Sequence, residues 1–316
     1  MHAVDLTIAI VNWNAGSLLG RCLSSIADHR GNLISEIVVV DNASRDDSTA
    51  VLQEFPQVHL IQNQTNLGFA RASNQALQQA HGRFFLLLNP DTEVRPDALE
   101  AMVGFMDRHP DAGALGCQLL NSDGSIQVSC SHFPNLRNMA LESLGLSRLF
   151  PRSRWFARFK MSYWSHDEEA EVDQPSGACL MVRRAAWEQV GPLDEQFFMY
   201  FEEVDLCLRL RRAGWRIFFT PQAQVVHYGG ESSRQQLDVR VVVLYQSMIR
   251  FFEKHYGTWQ VLALKGLIVG EMAGRGLVTL SKALLSWPSR RTLKPYLARY
   301  AQVAWLCLAG QRRGQE

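Results

Sequence analysis

The stretch FFLLLNPDTEV, residues 84–94, runs five apolar residues into an Asn-Pro break and then a carboxylate. An apolar run of this length, bounded by breaker residues, predicts a strand that is buried on both faces. Asn-Pro favours a turn directly after it, so Asp91 is expected at the carboxyl end of that strand. Asp91 is either ordinary turn chemistry or part of a functional site, and its surroundings decide between the two.

The alternation of strand and helix patterns continues along the chain. Strand segments at 6–13, 35–41, 58–63 and 83–89 alternate with helical patterns at 17–29, 48–54, 72–80 and 96–109. Apolar strands separated by helices predict a doubly wound α/β fold with a mainly parallel, Rossmann-like sheet. Ligands of such sheets bind beyond the carboxyl ends of the strands. Polar residues fall at these ends: Asn12, Asn14, Asp41, Asn42 and Asp91.

The composition is that of a folded globular protein. The 316 residues are 47% hydrophobic and 20% charged, enough for one large domain or for one domain with an appendage. The first residues lack the basic segment and apolar core of a signal peptide, so none is predicted. Six scattered cysteines without C-x-x-C spacing argue against a zinc module or a disulfide framework and fit a reducing compartment.

Charge is distributed unevenly along the chain. Residues 1–230 carry 19 basic and 26 acidic side chains, whereas residues 231–316 carry 13 basic and 5 acidic ones. In this tail the basic residues are interleaved with apolar stretches such as WQVLALKGLIVG, residues 259–270. This pattern favours an anionic lipid surface over nucleic acid as the partner. The alternative is a helix packed on the preceding domain with a solvated basic face.

The tail shows helical patterning but no membrane-spanning segment, since no stretch reaches roughly 20 apolar residues. In helical projection Glu271, Arg275 and Lys282 share one face. Glycine recurs at every fourth residue: Gly266, Gly270 and Gly274. Such spacing lets helices approach closely. The sequence therefore predicts that the tail docks on a membrane surface or pairs helices in a homodimer.

Five ordered blocks of sequence resemble family 2 glycosyltransferases with the GT-A fold. They are IAIVNWN (8–14), EIVVVDNASRDDS (36–48), NQTNLGFARASNQAL (63–77), FLLLNPDTEV (85–94) and the segment from PSGACL to HYGG (175–230). The chain is most similar to rhamnosyltransferase-type members of bacterial surface-polysaccharide pathways. The resemblance implies a GT-A domain over 1–230, with a donor half to about 125 and an acceptor half from about 126. A helical, basic, amphipathic tail then covers 231–316.

The resemblance implies transfer of a sugar from a nucleoside diphosphate to an acceptor hydroxyl, usually with inversion and a divalent cation. Asp91 matches the last residue of the family's Asp-x-Asp motif, which here reads Asn89-Pro90-Asp91, so one carboxylate has become an amide. His227 matches a histidine that serves as a further metal ligand. A hard cation such as Mg²⁺ or Mn²⁺ would neutralise the charge that develops on the diphosphate leaving group.

The resemblance also implies donor-binding positions. They are Asn12, Trp13, Asn14, Asp41, Asn42, Asn66, Gly68, Phe69, Arg71, Asn74 and Asn89. The first four are expected to line the base and ribose pocket of a dTDP- or UDP-sugar. Residues 66–70 would place backbone amides at a helix start, where negative charge is favoured. For residues 41–44, an Asx turn that caps the next helix is an alternative that can hold at the same time.

Acid groups in YFEEVDLCLRLRRAGW, residues 200–215, supply candidates for the general base that an inverting displacement needs. Glu203 occupies the base position of the family's Glu-Asp motif, with a Glu in place of the usual Asp, and Asp205 is the second choice. Glu202 and Gly177 are expected on the acceptor side. The alternative is that the acids simply begin an amphipathic helix, where the macrodipole favours negative charge.

Residues 130–172 lie where the family is variable. They mix basic and aromatic side chains, as in RWFARFK, residues 154–160, and indicate an acceptor loop, a membrane contact or an ordinary surface loop.

The predicted function is an inverting glycosyltransferase with rhamnose as the favoured sugar and a glycan or lipid-linked acceptor, working in the cytoplasm on the inner face of the plasma membrane. A catalytically weak sugar-nucleotide-binding scaffold is one alternative. A sugar nucleotidyltransferase is disfavoured, because VNWNAGS (11–17) is not a glycine-rich phosphate loop.

Overall fold

Strands and helices alternate through the first two thirds of the chain, and helices make up the last third. The computed structural model describes residues 4–229, 237–285 and 293–308. The strands are β1 (Leu6–Asn12), β2 (Ser35–Asp41), β3 (His59–Gln62), β4 (Phe84–Leu88), β5 (Thr92–Val94), β6 (Ala112–Leu120), β7 (Ile126–Gln127), β8 (Cys130–Ser131), β9 (Ala170–Glu171), β10 (Gln174–Pro175), β11 (Cys179–Arg183) and β12 (Arg216–His227). The helices are α1 (Leu18–His29), α2 (Phe69–Gln78), α3 (Ala98–Arg108), α4 (Leu136–Ser143), α5 (Leu146–Leu149), α6 (Arg184–Val190), α7 (Glu202–Arg212), α8 (Leu237–His255), α9 (Thr258–Leu285) and α10 (Leu293–Leu308).

The central sheet has the strand order β3-β2-β1-β4-β11-β6-β12-β5. β1 pairs in parallel with β2 and β4, β2 with β3, and β6 with β12, while β11 runs antiparallel to both of its neighbours. The register sets Asn12 beside Asp41 and Ile10 beside Leu88. The carboxyl ends of parallel strands lie at the same edge of a sheet. The polar residues at the carboxyl ends of β1, β2 and β4 therefore share that edge. The predicted α/β fold with a mainly parallel sheet is confirmed.

Each face of this sheet packs into its own apolar core. All five residues of β4 are buried, with Phe84, Leu86 and Leu88 in one core. Phe85 and Leu87 lie in the other core, together with side chains from α2, α6 and α7. This two-sided burial explains why the stretch at 84–88 is continuously apolar instead of alternating.

One predicted helix takes a tighter form. The segment Asp47–Glu54 is a 3-10 helix, in which Ser48 is the one buried residue. The Asp46 carboxylate caps it by accepting hydrogen bonds from the backbone N–H (3.2 Å) and hydroxyl (2.6 Å) of Ser48. Val51 and Leu52 pack against the core but are only partly buried, so the segment has no strong packing preference for a wider α-helix.

Contacts divide the chain into two units, one containing the sheet and one helical. The sheet unit comprises Met1–Phe133 and Lys160–Gln235, and the helical unit comprises Pro134–Phe159 and Gln236–Glu316. The segment at 134–159, which the sequence placed in the acceptor half, thus groups with the tail helices.

Within the helical unit, α9 is anchored by buried residues at helical spacing. These are Val261, Leu264, Ile268 and Met272. Glu271 accepts hydrogen bonds from the hydroxyls of Ser143 (2.9 Å) and Tyr245 (3.1 Å) and pairs with Arg275 at 2.7 Å. The sequence grouped Glu271 with Arg275 on one face of the helix, and the structure uses that carboxylate to hold α4 and α8 against α9.

The described helices do not include one that is both long enough and apolar enough to cross a bilayer. A Cβ built at Gly266, Gly270 or Gly274 meets no described atom within 4 Å. Helix pairing through these glycines in a homodimer therefore stays a prediction. The side chain of Lys282, part of the predicted charged face, lies outside the described residues.

Asn74 joins α2 to the segment that precedes α7. It is 2% exposed, and its amide nitrogen donates to the Leu193 carbonyl at 2.9 Å and to Glu195 at 3.1 Å. Its amide oxygen accepts from the Leu193 N–H at 3.0 Å. One side chain thus satisfies both backbone groups of Leu193, which would otherwise be buried without partners.

We expect Asn74→Ala to lower the free energy of unfolding by about 2–4 kcal/mol, because it leaves buried backbone groups of Leu193 unpaired. Urea denaturation monitored by circular dichroism measures this change. The matched control is Gln78→Ala, an exposed residue on the same helix, which should change stability by less than about 0.5 kcal/mol. Equal effects of the two substitutions would contradict the assigned role of Asn74.

Candidate active site

The ends of β1 and β2 are joined by the Asn12 side chain, which is fully buried. Its amide nitrogen donates to Asp41 at 2.9 Å and to the hydroxyls of Ser48 at 2.8 Å and Ser44 at 3.1 Å. Its amide oxygen is buried and has no hydrogen-bond partner. Buried polar atoms are nearly always paired, so this oxygen is a candidate acceptor for a ligand donor group.

The turn after β2 forms the Asx turn considered for it, and the ligand-binding role of Asp41 stays a prediction. Asp41 accepts a hydrogen bond from the Ser44 N–H at 3.3 Å, which is the Asx turn. Asn14 adopts a left-handed backbone (φ 50°), and its side chain accepts from the Arg45 N–H at 2.7 Å. Trp13, between these two strand ends, is partly exposed. The predicted base and ribose residues therefore lie together, and the turn also holds them in place.

Asn42 is buried, and both its amide nitrogen and its amide oxygen form hydrogen bonds. It donates to Asn66 at 2.8 Å and to the Gly68 carbonyl at 3.2 Å, and it accepts from the Leu67 N–H at 3.0 Å. The N–H of Gly68 donates to Asn66 at 2.9 Å, and that of Phe69 donates to the Phe198 carbonyl at 2.7 Å. The backbone N–H groups of residues 67–69 are thus hydrogen-bonded within the protein, and these bonds fix the conformation of the loop before α2.

Gly68 is required where this loop meets the segment before α7. Its φ is +85°, and a Cβ at this position would overlap the Phe198 carbonyl. On the next turn of α2, the Arg71 side chain is 57% exposed and lies 3.7 Å from Glu195. Arg71 can therefore turn toward a ligand at little energetic cost, since exposed pairs of this kind are weak.

Asp91 and His227 meet at the carboxyl edge of the sheet. The His227 Nε2 lies 3.4 Å from an Asp91 carboxylate oxygen, and the Tyr228 N–H donates to the Asp91 carbonyl at 2.9 Å. Asp91 is 7% exposed. Asn89, the first residue of the motif, donates its backbone N–H to the Ala178 carbonyl at 3.0 Å.

The orientation of the His227 ring is set by Gln127. The His227 Nδ1 lies 2.7 Å from the Gln127 amide oxygen. The amide nitrogen of Gln127 donates a hydrogen bond to the Asn121 side-chain oxygen at 2.9 Å. Because the Gln127 amide oxygen can only accept, Nδ1 carries a proton, and Nε2 is the ring nitrogen that faces Asp91. This is the arrangement by which an outer partner prepares a histidine to bind metal.

Asp91 and His227 fit a divalent cation. Two acceptors 3.4 Å apart repel unless a proton or a cation lies between them. Two adjacent ligands of an octahedral cation, each about 2.1 Å from it, lie about 3 Å apart, close to this separation. Among the described residues, no group of three or more His, Cys, Asp or Glu is placed to hold a metal. Asp91 and His227 could therefore supply only part of a coordination shell, as is usual for Mg²⁺ at a phosphate substrate.

Glu202 and Glu203 open α7 after a strained turn. Tyr200 and Phe201 both have positive φ, 69° and 70°, which is costly for residues with large side chains. One carboxylate oxygen of each glutamate is buried and has no hydrogen-bond partner. Burial raises the pKa of Glu202 well above its usual value, helped by the charge of Glu203, and burial also raises the pKa of Glu203.

Glu203 lies beside Gly177, since a Cβ built on that glycine would be 3.5 Å from the Glu203 Cγ. Gly177 precedes Ala178, which is hydrogen-bonded to Asn89, so this contact places Glu203 at the same sheet edge as the Asp-x-Asp position. Asp205 is fully buried and is paired with Arg209 at 2.8 Å. Because the Asp205 carboxylate is buried in this ion pair, Glu203 is the better candidate for the base.

The sequence patterns did not single out Gln127, Ser44 or Ser48 as site residues. Gln127 lies in a two-residue strand paired with Leu119, too short to leave a periodic signal. Ser44 and Ser48 belong to the quoted block at 36–48, but only the folded chain brings their hydroxyls to Asn12.

Comparisons with known proteins show the family of the chain. The family model described as Glycosyl transferase family 2 matches residues 7–189, more than half of the chain. The chain belongs to glycosyl transferase family 2. Its reaction class is therefore sugar transfer, as the sequence predicted. The roles of its individual residues stay predictions.

Among the relatives of this family 2 chain is the N-acetylglucosaminyl-diphospho-decaprenol L-rhamnosyltransferase of Mycobacterium tuberculosis. The two are 30% identical over 301 residues, which cover 92% of this chain and 97% of that protein. The rhamnosyltransferase WbbL of Escherichia coli K12 is 26% identical over 208 residues, covering 63% of this chain and 75% of WbbL. The predicted similarity to rhamnosyltransferases is confirmed.

A solved structure with the same fold is the mannosyltransferase PcManGT from Pyrobaculum calidifontis in complex with GDP-Man and Mn²⁺. The TM-score is 0.57 at 16% identity, and the match covers 98% of this chain and 88% of that one. This similarity confirms the predicted GT-A architecture.

The raised pKa of Glu202 gives a test of burial at the start of α7. A carboxyl with a raised pKa binds more protons in the folded state, so it destabilises the fold as pH rises above the usual pKa. We expect Glu202→Gln to raise the melting temperature, with a larger gain at pH 8 than at pH 5. Differential scanning fluorimetry across this range measures the trend.

The control for this measurement is Glu188→Gln, an exposed residue of α6. It should leave the melting temperature unchanged at every pH. A gain from Glu202→Gln that is the same at pH 5 and pH 8 would contradict the raised pKa.

Proposed function

We propose that this family 2 glycosyltransferase is an inverting enzyme that transfers rhamnose from a nucleoside diphosphate to a lipid-linked saccharide in bacterial surface-polysaccharide synthesis. The observation that carries the proposal is the Asp91–His227 pair with the half-buried Glu203 at the same sheet edge. Rhamnose is supported by the relatives from M. tuberculosis and E. coli, the first of which matches over nearly its whole length.

The donor's nucleoside would bind over the ends of β1 and β2. Asn12 presents its unpaired amide oxygen there, ready to accept a hydrogen bond from a base N–H or a ribose hydroxyl. Asp41 is held in place by Asn12 and offers carboxylate oxygens for the same groups. The nucleotide is either a dTDP- or a UDP-sugar, since a pyrimidine N3–H suits both acceptors.

Asp91 and His227 would hold Mg²⁺ or Mn²⁺ against the donor diphosphate. The bound cation supplies Lewis-acid stabilisation of the charge that develops on the leaving group. Gln127 would hold the His227 ring so that Nε2 faces the cation. Because no group of three or more His, Cys, Asp or Glu among the described residues is placed to hold a metal, the donor diphosphate and water would supply the other ligands.

Glu203 would act as the general base. Its raised pKa makes it a better proton acceptor than an ordinary carboxylate, provided that it is ionised at the working pH. It takes the proton of the acceptor hydroxyl while the acceptor oxygen bonds to the anomeric carbon. The bond from that carbon to the diphosphate oxygen breaks, and the nucleoside diphosphate leaves with the electron pair. Attack from the opposite face inverts the anomeric configuration.

The acceptor is proposed to be lipid-linked, by analogy with the decaprenol-linked substrate in the name of the M. tuberculosis relative. Such an acceptor is fixed in a bilayer, so the enzyme would work as a peripheral protein on the cytoplasmic face of the plasma membrane. Gly177 and Glu202 then lie beside the base, on the side from which the acceptor enters.

A panel of nucleotide sugars that includes dTDP-rhamnose tests the donor and the roles of two site residues. We expect one donor to release nucleoside diphosphate in the presence of membrane extract and Mg²⁺ or Mn²⁺. Asp91→Ala and Glu203→Gln should each lower kcat/KM by about 10²–10⁴-fold, because each removes a group that acts in the transition state. Nucleoside diphosphate release is the readout.

Matched controls for the panel are Asp28→Ala and Glu188→Gln, exposed acids outside the site, which should retain full turnover. For the wild type, the acid limb of the profile of kcat/KM against pH should lie above the usual carboxyl range. If a donor binds but no donor turns over, the chain is a sugar-nucleotide-binding scaffold and the proposal fails.

A further inference from the structure

The apolar surface and the positive charge of the chain are concentrated in the helical unit. Among the described residues, nineteen large apolar side chains are exposed, and fifteen of them lie in this unit. The full sequence of the unit holds 17 basic and 5 acidic residues, whereas the rest of the chain holds 15 and 26. A surface that is both apolar and basic has the two properties that bind an anionic bilayer.

Residues 144–158, here called the arginine-aromatic loop, combine both properties most densely. The loop contains no acidic residue and four arginines, all exposed: Arg148, Arg152, Arg154 and Arg158. Its five exposed apolar side chains are Leu144 (71%), Leu149 (68%), Phe150 (46%), Trp155 (70%) and Phe156 (36%). Exposed side chains this large would normally be buried, so their clustering marks an interaction surface.

The loop presents these side chains from an ordered backbone. The N–H of Leu149 donates to the Gly145 carbonyl at 3.1 Å, and the N–H of Ala157 donates to the Ser153 carbonyl at 2.9 Å. Ala157 is fully buried and anchors the second turn. The rings of Phe150 and Phe156 lie 5.2 Å apart. The Arg137 guanidinium, from α4, lies over the Trp155 ring at 5.2 Å. The aromatic side chains are therefore held outward by local structure.

We infer that the arginine-aromatic loop is a membrane-docking surface that binds anionic phospholipid. Trp155 and the two phenylalanines enter the interfacial layer, where aromatic rings are favoured, and the arginines contact lipid phosphates. A second copy of the loop is a poor partner, because four arginines would face four arginines. The lipid-linked acceptor of the proposed function explains the use of such a surface, but the inference rests on the loop's own charge and exposure.

Cosedimentation of the full chain with vesicles tests this inference. One set of vesicles is phosphatidylcholine alone and the other contains 30% phosphatidylglycerol. The wild type should bind the anionic vesicles and not the neutral ones, and binding should weaken as the salt concentration rises. The double variant Arg152→Glu with Trp155→Ser should weaken binding by at least about tenfold, since it reverses one charge and removes the most exposed aromatic ring.

The matched control is Arg30→Glu with Ile34→Ser in the sheet unit, which also reverses one exposed arginine and removes one exposed apolar side chain. It should bind anionic vesicles like the wild type. Because the loop residues are exposed, the loop variant should keep the wild-type melting temperature and should turn over donor normally without vesicles. This second readout separates a failure of docking from a failure of the proposed function.

Three outcomes would overturn the inference. The wild type could fail to bind anionic vesicles, it could bind neutral vesicles equally well, or the loop variant could bind as tightly as the control. The wild type could also fail to bind vesicles while the loop variant changes the oligomeric state measured by light scattering. In that case the arginine-aromatic loop is a contact between copies of the chain, and its assignment as a membrane-docking surface is wrong.

Discussion

The position of β4 between a parallel and an antiparallel neighbour is the constraint on which the site depends. Leu88, at its end, pairs with Ile10 of β1 on one side and with Cys179 of β11 on the other. The first pairing aligns β4 with the strands that carry Asn12 and Asp41. The second brings Gly177, and with it Glu203, to the same edge. A chain that follows β4 with Asn-Pro-Asp thus places a carboxylate at the edge that these strands share.

Polar groups in the candidate site are held in two different ways: some are fixed by hydrogen bonds to neighbours, and others have an oxygen without a hydrogen-bond partner. At β1 and β12, Asn12 and His227 are fixed by neighbours that leave the Asn12 amide oxygen without a partner and the His227 Nε2 facing Asp91. At α7, Glu202 is buried and Glu203 is half-buried, and each has one buried carboxylate oxygen without a hydrogen-bond partner. The two residues before them have positive φ values. Such groups cost stability, and the proposed roles of a base and a metal ligand held ready before substrate binds would account for them.

The sequence predicted the sheet well because strand and helix periods are local properties. The run at 84–88 is apolar throughout since both faces of β4 are covered, and the strand ends at Asn12, Asp41 and Asp91 follow from this topology. Gln127 was not predicted, because its contact with His227 joins residues 100 positions apart and leaves no local pattern. Likewise, no periodicity showed that 134–159 groups with the tail helices, since that depends on tertiary contacts.

The claim that Asp91 and His227 hold the metal is tested most directly by anomalous diffraction from a crystal grown with Mn²⁺ and a nucleoside diphosphate. The account predicts one anomalous peak bonded to an Asp91 oxygen, to His227 Nε2 and to the diphosphate, with the His227 Nδ1 still on Gln127. A diphosphate bound without a metal peak between these two residues, or a peak on other ligands, would contradict it.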